Sequence, residues 1–249
     1  MCKINSNPRI SVITVSFNSK LIIEETILSV INQTFTNIEY IIVDGGSTDG
    51  TIDVIKKYSD RISTWISEPD EGIFDAMNKA VTLCNGEWVY FLNCGDTFFS
   101  NFVLEEIFDQ NSYDNISVIY GSVMAQTKIG DVCAYSSEIS TIVKNLPFCH
   151  QGAFTRTDCL KKNQFDKSFK LCADYNFFYN LYIRGYSFLQ IKQIIANYEA
   201  VNGVSTTQRS LLKKEICLIT GRSMASINWE YFCRDMKFFV FQLLKKLSL

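Results

Sequence analysis

A short polar segment that directly follows an apolar run carries the clearest chemical signal in this chain. Residues 88–92 predict a buried strand, and Asn93-Cys94-Gly95-Asp96 predicts the turn after it. Ligands of α/β proteins bind outside the carboxyl ends of parallel strands, which is where Asp96 would lie. Mg²⁺ and Mn²⁺ prefer oxygen ligands and often take one or two carboxylates together with substrate phosphates. Asp96 is therefore a candidate metal ligand, and a type I turn capped by Asp96 is the alternative.

A second acidic segment, Asp44-Gly45-Gly46-Ser47-Thr48-Asp49-Gly50, follows another predicted strand. Asp44 could accept a hydrogen bond from the imide N–H of uracil, and Gly45 and Gly46 would let the backbone turn sharply beside a ligand. A helix cap and turn without a ligand explains the same residues equally well. Neither G-x-G-x-x-G after a strand nor G-x-x-x-x-G-K-[ST] occurs, so a diphosphate would need another partner, for which a metal ion is the obvious candidate.

Two predicted helices carry polar residues that could face the same ligand. Asp75, Asn78 and Lys79 lie near one helix face and could reach ribose or sugar hydroxyls, although an acidic first turn favoured by the helix dipole is the alternative. Asp174 begins an aromatic helix, where desolvation would raise the pKa of its carboxyl. Such a group can take the proton of an attacking hydroxyl, and a plain N-cap is the alternative.

The composition excludes several classes of protein. A net charge of −2 gives no indication of a nucleic-acid partner. Nine scattered cysteines without a Cys-x-x-Cys pair, and a single histidine, His150, argue against a zinc site and indicate free thiols in a reducing compartment. The N-terminal residues lack the apolar core of a secretory signal, and no apolar run approaches the ~20 residues that span a bilayer. We therefore expect a cytoplasmic protein.

The order of apolar segments predicts the fold. Strand and helix patterns alternate through the first hundred residues, which is typical of a parallel sheet with right-handed crossovers. The predicted strands there are 10–17, 38–43, 62–67 and 87–92, and the predicted helices are 21–33, 51–58 and 72–84. Later segments predict helices at 103–108 and 174–184 and strands at 117–124, 131–135, 186–192 and 194–198, whereas 136–171 has no clear pattern.

The C-terminal residues have a different composition. Residues 227–249 are rich in aromatic side chains and hold four basic against two acidic residues. A basic, aromatic helix of this kind can lie in a membrane interface, and packing on the domain or on a second subunit is the alternative. We expect a first half at 1–110, a second half at 111–207 and a helical tail at 208–249. The family resemblance given next implies a nucleotide-sugar-binding first half and an acceptor-binding second half.

Taken together, these segments resemble family 2 glycosyltransferases of the GT-A fold, and especially the small bacterial enzymes that build O-antigen, capsule and colanic-acid units. The resemblance implies an α/β fold with a Rossmann-like, mostly parallel central sheet flanked by helices, and a C-terminal helical extension. It rests on residues 10–18, 41–51, 67–80 and 91–96, followed by 150–154, 173–175 and 203–207.

The resemblance also implies residue roles. Asp174 would be the catalytic base, and Asp96 would bind the Mn²⁺ or Mg²⁺ that bridges the diphosphate. His150 and Gln151 would line the acceptor side, and residues 203–206 would close over the donor phosphates as a lid that excludes water. The expected donor contacts are Thr14, Ser16, Asp44, Asp75, Asn78, Asn93, Gly203 and Ser205. Many family members carry two acids in the metal motif, whereas this chain has only Asp96 there, so the choice of metal stays open.

The expected activity is inverting transfer of a hexose or N-acetylhexosamine from a UDP-sugar to an acceptor, as a single displacement. The expected acceptor is an oligosaccharide on a polyprenyl diphosphate, with the enzyme peripheral at the inner face of the cytoplasmic membrane. A sugar-nucleotide pyrophosphorylase is a second hypothesis, but it would need a Gly- and Arg-rich loop where this chain has Asn18-Ser19-Lys20. A non-catalytic sugar-nucleotide-binding subunit is a third, since the metal motif holds a single acid.

Overall fold

The computed structural model describes residues 8–127, 130–200, 208–233 and 236. Nine strands form one sheet in the order β3-β2-β1-β4-β8-β6-β9-β5, with β7 paired to β6. The strands are β1 Ile10–Ser16, β2 Ile38–Asp44, β3 Thr64–Ser67, β4 Trp88–Phe91, β5 Thr97–Phe98, β6 Val118–Thr127, β7 Gly130–Ala134, β8 Ala153–Arg156 and β9 Phe188–Glu199. The helices are α1 Ile23–Ile31, α2 Thr51–Lys57, α3 Ile73–Leu83, α4 Val103–Phe108, α5 Thr157–Lys162, α6 Ala173–Ile183 and α7 Arg209–Thr220.

The first half of the sheet is parallel. Strands β3, β2, β1 and β4 run in one direction, so their carboxyl ends meet at a single edge. Ser16 lies beside Asp44 in the register, and Asp44 lies beside Ser67. The strand–helix alternation predicted from the sequence is confirmed here, and the β-branched residues of β1 and β2 are buried on both faces of the sheet. This edge carries the residues that follow β1 to β4.

The second half makes the sheet mixed. Strand β8 enters antiparallel between β4 and β6, and β5 pairs antiparallel with β9 at the end of the order. The two strands expected at 186–192 and 194–198 are one strand, β9, whose register with β6 shifts between residues 120 and 123. Gly121 permits this irregularity, because a Cβ there would lie 2.6 Å from the carbonyl oxygen of Gln193.

The end of the sheet curls back toward its centre, and stacked aromatic rings form the contact between β5 and β4. Tyr90 on β4 stacks on Phe154 of β8 with ring centroids 4.5 Å apart, and on Phe98 of β5 with centroids 5.0 Å apart. The turn between β4 and β5 is thereby enclosed, and Asp96 within it is only 6% exposed. This curl places the candidate metal ligand inside the fold rather than on an open loop.

The helix α7 is part of the domain core. Its Ile216 and Ile219 belong to the same buried cluster as Phe177 and Leu181 of α6, and Ile227 joins them. The predicted C-terminal helical extension is thus present, and it packs into the core through these side chains. In the part of the chain that the structure describes, the helices all fall short of the length and apolarity needed to cross a bilayer.

A short 3₁₀ turn at His150–Gly152 leads into β8.

Candidate active site

Asp44 ends β2 and holds the loop that follows. Its Oδ1 accepts hydrogen bonds from Ser16 Oγ at 2.9 Å and from Ser47 Oγ at 2.5 Å. Its Oδ2 accepts from Ser67 Oγ at 2.7 Å and from the backbone N–H groups of Gly46 and Ser47 at 3.1 and 2.8 Å. Burial opposes ionisation, but these hydrogen bonds outweigh it and lower the pKa of Asp44. The carboxylate is thus a fixed anionic centre that shapes the 45–47 loop.

Thr14, Ser16 and Asp44 were expected to contact uridine, and this stays a prediction. Thr14 and Asp44 are 0% exposed in this structure, and Ser16 is 6% exposed. The Thr14 hydroxyl donates to the carbonyl of Leu92 at 2.8 Å and lies 3.0 Å from the Tyr40 hydroxyl. Thr14 thereby links β1 to the segment after β4, and Ser16, which donates to Asp44, links β1 to β2.

Asp75 and Asn78 also have structural partners. The Asn78 amide donates to the carbonyl of Phe165 and accepts from the N–H of Phe165, both at 2.9 Å. Its role as a donor contact stays a prediction. Asp75 lies 2.8 Å from Lys167 and 3.5 Å from Lys79, and its hydrogen bond with Lys167 is the main cause of its lowered pKa. Both residues tie α3 to the loop that precedes α6.

Asp96 is a buried carboxylate with two donors. Its Oδ2 accepts from Gln151 Nε2 at 3.0 Å, and its Oδ1 accepts from the backbone N–H of Glu199 at 3.3 Å. Burial is the main cause that raises the pKa of Asp96 to about 6, although these two hydrogen bonds act in the opposite direction. A buried carboxylate of raised pKa is in an environment that would favour a nearby positive charge.

The donor set around Asp96 fits a divalent ion that also takes substrate oxygens. The side-chain oxygen of Asn93 is buried and has no hydrogen-bond partner, and Asn93 lies in the same turn. Within the described ranges, no group of three or more His, Cys, Asp or Glu residues could hold a metal alone. One carboxylate and one amide oxygen leave most coordination positions to water and phosphate, which is typical of Mg²⁺.

Gln151 and His150 connect Asp96 to Asp174. The Gln151 side-chain amide donates to Asp96, and the Gln151 backbone carbonyl accepts from the Tyr90 hydroxyl at 2.6 Å. The expected place of Gln151 on the acceptor side stays a prediction. His150 Nδ1 lies 3.9 Å from Asp174 Oδ2. The His150 ring is in contact with the ring of Phe91, with centroids 5.2 Å apart. Asp96 and Asp174 are therefore each in contact with one of two adjacent residues.

His150 is unusual because both ring nitrogens are buried without a hydrogen-bond partner. Its side chain is 10% exposed, and burial lowers its pKa to about 4, so the ring is neutral at pH 7. A neutral imidazole keeps one donor and one acceptor nitrogen. Both nitrogens therefore have unused hydrogen-bonding capacity beside Asp174.

Asp174 lies in the first turn of α6. Its Oδ1 accepts from the N–H of Tyr175 at 2.8 Å, and its side chain remains 20% exposed. Burial raises the pKa of Asp174 to about 6. A carboxylate that is partly exposed, poorly hydrogen-bonded and of raised pKa is a suitable general base near neutral pH.

Two cysteines lie between the carboxylates and respond to their charges. Burial raises the pKa of Cys94 to about 11, and the charges of Asp96 and Asp44 add to the rise. Burial likewise raises the pKa of Cys149 to about 11, and the charges of Asp174 and Asp96 add to it. Cys94 is therefore near enough to feel the charges of Asp96 and Asp44, and Cys149 those of Asp174 and Asp96.

The predicted lid at 203–206, with Gly203 and Ser205, lies outside the described residues.

Glu215 of α7 is a site residue that the sequence analysis did not find. It is 4% exposed, and its carboxylate accepts the backbone N–H groups of Lys170, Leu171 and Cys172 at 2.7, 3.0 and 2.8 Å. These residues form the segment that leads directly into Asp174. A single glutamate in a helix has no spacing that distinguishes it from a surface residue, so no sequence signal was available.

Comparison with known proteins defines the class. The family model described as glycosyl transferase family 2 matches residues 11–186, and the chain belongs to this family. A glycosyltransferase of PGL/p-HBAD biosynthesis from Mycobacterium tuberculosis is 25% identical over 207 residues, which cover 80% of each chain. A putative teichuronic acid biosynthesis glycosyltransferase, TuaG, from Bacillus subtilis is 41% identical over 95 residues, or 37% of this chain and 38% of TuaG.

Two solved structures share the fold. Residues 1–349 of S. aureus TarS, in complex with UDP-GlcNAc, superpose with a TM-score of 0.67 at 18% identity over 85% of this chain and 66% of that one. The mannosyltransferase PcManGT from Pyrobaculum calidifontis, in complex with GDP-Man and Mn²⁺, gives 0.65 at 15% identity over 84% and 62%. The chain thus spans about two thirds of each of these structures, and the expected GT-A fold is confirmed.

Proposed function

We propose that this protein is an inverting, divalent-metal-dependent glycosyltransferase that moves a hexose or N-acetylhexosamine from a UDP-sugar to a glycan acceptor. The acceptor class is a lipid-linked oligosaccharide of a bacterial surface polysaccharide. The relatives named for teichuronic acid and for PGL/p-HBAD biosynthesis support a cell-envelope role. Membership of family 2 speaks against the pyrophosphorylase hypothesis and against a non-catalytic subunit.

The observation that carries this proposal is that two adjacent residues, Gln151 and His150, contact two buried carboxylates, Asp96 and Asp174. In the proposed scheme Asp96 serves the diphosphate, and Asp174, with a pKa of about 6, serves the acceptor. A divalent ion held by Asp96 and Asn93 would neutralise the charge that develops on the leaving diphosphate. Asp174 would take the proton of the acceptor hydroxyl as that hydroxyl attacks the anomeric carbon, which inverts its configuration.

His150 supports Asp174 in this scheme. Its neutral ring, enclosed by Phe91 and other aromatic side chains, can orient the acceptor hydroxyl without adding a positive charge that would lower the pKa of Asp174. The aromatic surroundings also limit water near the base. Excluding water favours transfer to the acceptor over hydrolysis of the donor.

A membrane surface is the proposed location of the acceptor. Trp229 and Phe232 are 67% and 55% exposed and stack on each other with centroids 5.8 Å apart, and Leu218 nearby in sequence is 75% exposed. Exposed aromatic pairs of this kind suit the headgroup region of a bilayer. The C-terminal part of the expected anchor, beyond residue 236, lies outside the described residues.

Transfer from a panel of UDP-sugars with Mn²⁺ or Mg²⁺ tests the proposal, with the anomeric configuration of the product read by NMR. Wild-type kcat/KM should rise with pH through about 6 as Asp174 loses its proton. The variant Asp174→Asn should lose transfer by about a hundredfold or more while UDP binding persists. Asp158→Asn, an exposed acid on α5, is the matched control and should keep both. Retention of configuration, or equal loss of transfer in both variants, would contradict the proposal.

A further inference from the structure

The backbone of Gln151 is held from two sides. Its carbonyl accepts a hydrogen bond at 2.6 Å from the hydroxyl of Tyr90, a residue that is fully buried. The Cβ that an alanine would have at position 152 would lie 2.8 Å from the carbonyl oxygen of Gly121 on β6. Only glycine therefore lets the 150–152 turn pack so closely on that strand. These two contacts leave the backbone of Gln151 little freedom to shift.

The side chain of Gln151 reaches from this fixed backbone to Asp96. Its Nε2 donates to Asp96 Oδ2 at 3.0 Å, while the backbone N–H of Glu199 donates to Asp96 Oδ1 at 3.3 Å. One donor on each oxygen fixes the rotation of the carboxylate. An ionised carboxylate has about four lone-pair positions, so about two remain for other ligands. The two donors therefore determine which lone pairs of Asp96 can face an ion.

We propose that Gln151 is a positioning residue whose amide holds Asp96 in the orientation that binds the divalent ion, and that it thereby sets the affinity for that ion. This inference rests on the proposed function, which it deepens by assigning Gln151 to the metal through Asp96 rather than to the acceptor. Loss of a residue that hydrogen-bonds a metal ligand typically lowers metal affinity by about 10–100-fold. Because Asp96 is the only acid of the 93–96 turn, its orientation matters more than it would beside a second carboxylate.

The experiment measures the Kd of UDP by calorimetry, once with Mn²⁺ and once with EDTA, and the ratio of the two values is the gain in affinity that the metal supplies. Gln151→Met keeps the length of the side chain but removes the N–H donor. It should reduce this gain by about tenfold, or to unity if the wild-type gain is smaller, while the Kd in EDTA stays within about twofold of wild type. Gln190→Met is the matched control, because Gln190 is an exposed amide that donates to Ser136, and it should keep the wild-type gain.

A second variant and a second measurement distinguish positioning from damage to the fold. Tyr90→Phe leaves Gln151 in place but removes the hydroxyl that holds its backbone, so it should lower the gain in the same direction by a smaller factor. In transfer assays at increasing Mn²⁺, Gln151→Met should need about tenfold more Mn²⁺ for half of its maximal rate, with an unchanged KM for the acceptor. Damage to the fold alone would lower the rate at every Mn²⁺ concentration.

The outcomes separate this inference from the proposed function. If Gln151→Met keeps the wild-type gain, or shows a raised acceptor KM with an unchanged Mn²⁺ requirement, the assignment of Gln151 is wrong and the function stands. If Gln151→Met does not fold, an unchanged gain in Tyr90→Phe overturns the assignment. Transfer by wild-type protein without any gain from Mn²⁺ would refute the metal and this inference together, but not sugar transfer. If wild-type protein binds no UDP and transfers no sugar, the proposed function itself fails.

Discussion

Glu215 connects the C-terminal helix to the segment that carries the proposed base, and its removal has a magnitude that the structure defines. Oε1 accepts one backbone N–H and Oε2 accepts two, all from residues 170–172. Hydrogen bonds to a charged group contribute about 1.5–3 kcal/mol each. Glu215→Gln replaces one carboxylate oxygen with an N–H₂ donor. In the more favourable orientation of the amide only one backbone N–H loses its acceptor, so the free energy of unfolding should fall by about 2 kcal/mol. Glu215→Ala leaves three N–H groups without acceptors and should cost about 5 kcal/mol.

Urea unfolding followed by tryptophan fluorescence measures the stability, and the pH dependence of transfer measures the effect on Asp174. The negative charge of Glu215 adds to the burial that raises the pKa of Asp174. Neutralising it in Glu215→Gln should therefore move the acid limb of kcat/KM to lower pH. A purely structural role would change stability but leave that limb where it is. Glu106→Gln, an exposed acid on α4, is the control and should change unfolding by less than about 0.5 kcal/mol.

Equal unfolding free energies for wild type and Glu215→Gln would refute the reasoning about stability. A loss of about 2 kcal/mol with an unchanged acid limb would show that Glu215 holds the segment without acting on the base. Small domains have only about 5–15 kcal/mol of total stability, so a loss of about 5 kcal/mol in Glu215→Ala is suited to testing stability alone. Glu215→Gln tests both the stability and the effect on the pKa of Asp174.

Two further predictions concern His150 and the exposed aromatic pair. The pKa of His150 is lowered from 6.5 to about 4, so the unfolded chain binds more protons between these values, and stability should fall by about 3 kcal/mol as pH drops through this window. Urea unfolding of His150→Phe should lack that part of the slope, and an identical slope in both proteins would show that the ring is not buried as a neutral group. The double variant Trp229→Ala/Phe232→Ala should bind anionic phospholipid vesicles several-fold more weakly in a sedimentation assay. Tyr135→Ala, which removes another exposed ring, should not, and equal binding by all three would exclude this surface as the membrane contact.

The parallel half of the fold was predictable from the sequence because its signals are local. Apolar β-branched runs and helical spacing alternate through the first hundred residues, and each element depends on neighbours in the chain. The observed bounds of β1, β2, α2 and α3 differ from the predicted ones by one residue at most. The same alternation placed Asp44 and Asp96 at the carboxyl edge, because consecutive parallel strands end on the same side.

Strand β8 was not predictable in the same way. It holds only four residues and pairs antiparallel with β4 and β6. Each paired residue of β8 is more than thirty residues away from its partner along the chain. Gln151 illustrates the consequence at the site. Its place beside Asp96 follows from where β8 enters the sheet, and no pattern around residue 151 encodes that entry point. The position of β8 and the position of Gln151 both depend on tertiary strand pairing rather than on local sequence preference.

The number of hydrogen-bond donors around each buried acid separates structure from chemistry in this molecule. Asp44 has five donors and a lowered pKa, so its charge is well compensated within the protein. Asp96 has two and Asp174 has one, and burial raises the pKa of both to about 6. Keeping these carboxylates in a buried and poorly compensated state costs stability, and that cost is typical of groups that act on a substrate. All three are aspartates that follow or begin regular elements, so the sequence alone could not rank them. Their surroundings in the fold do.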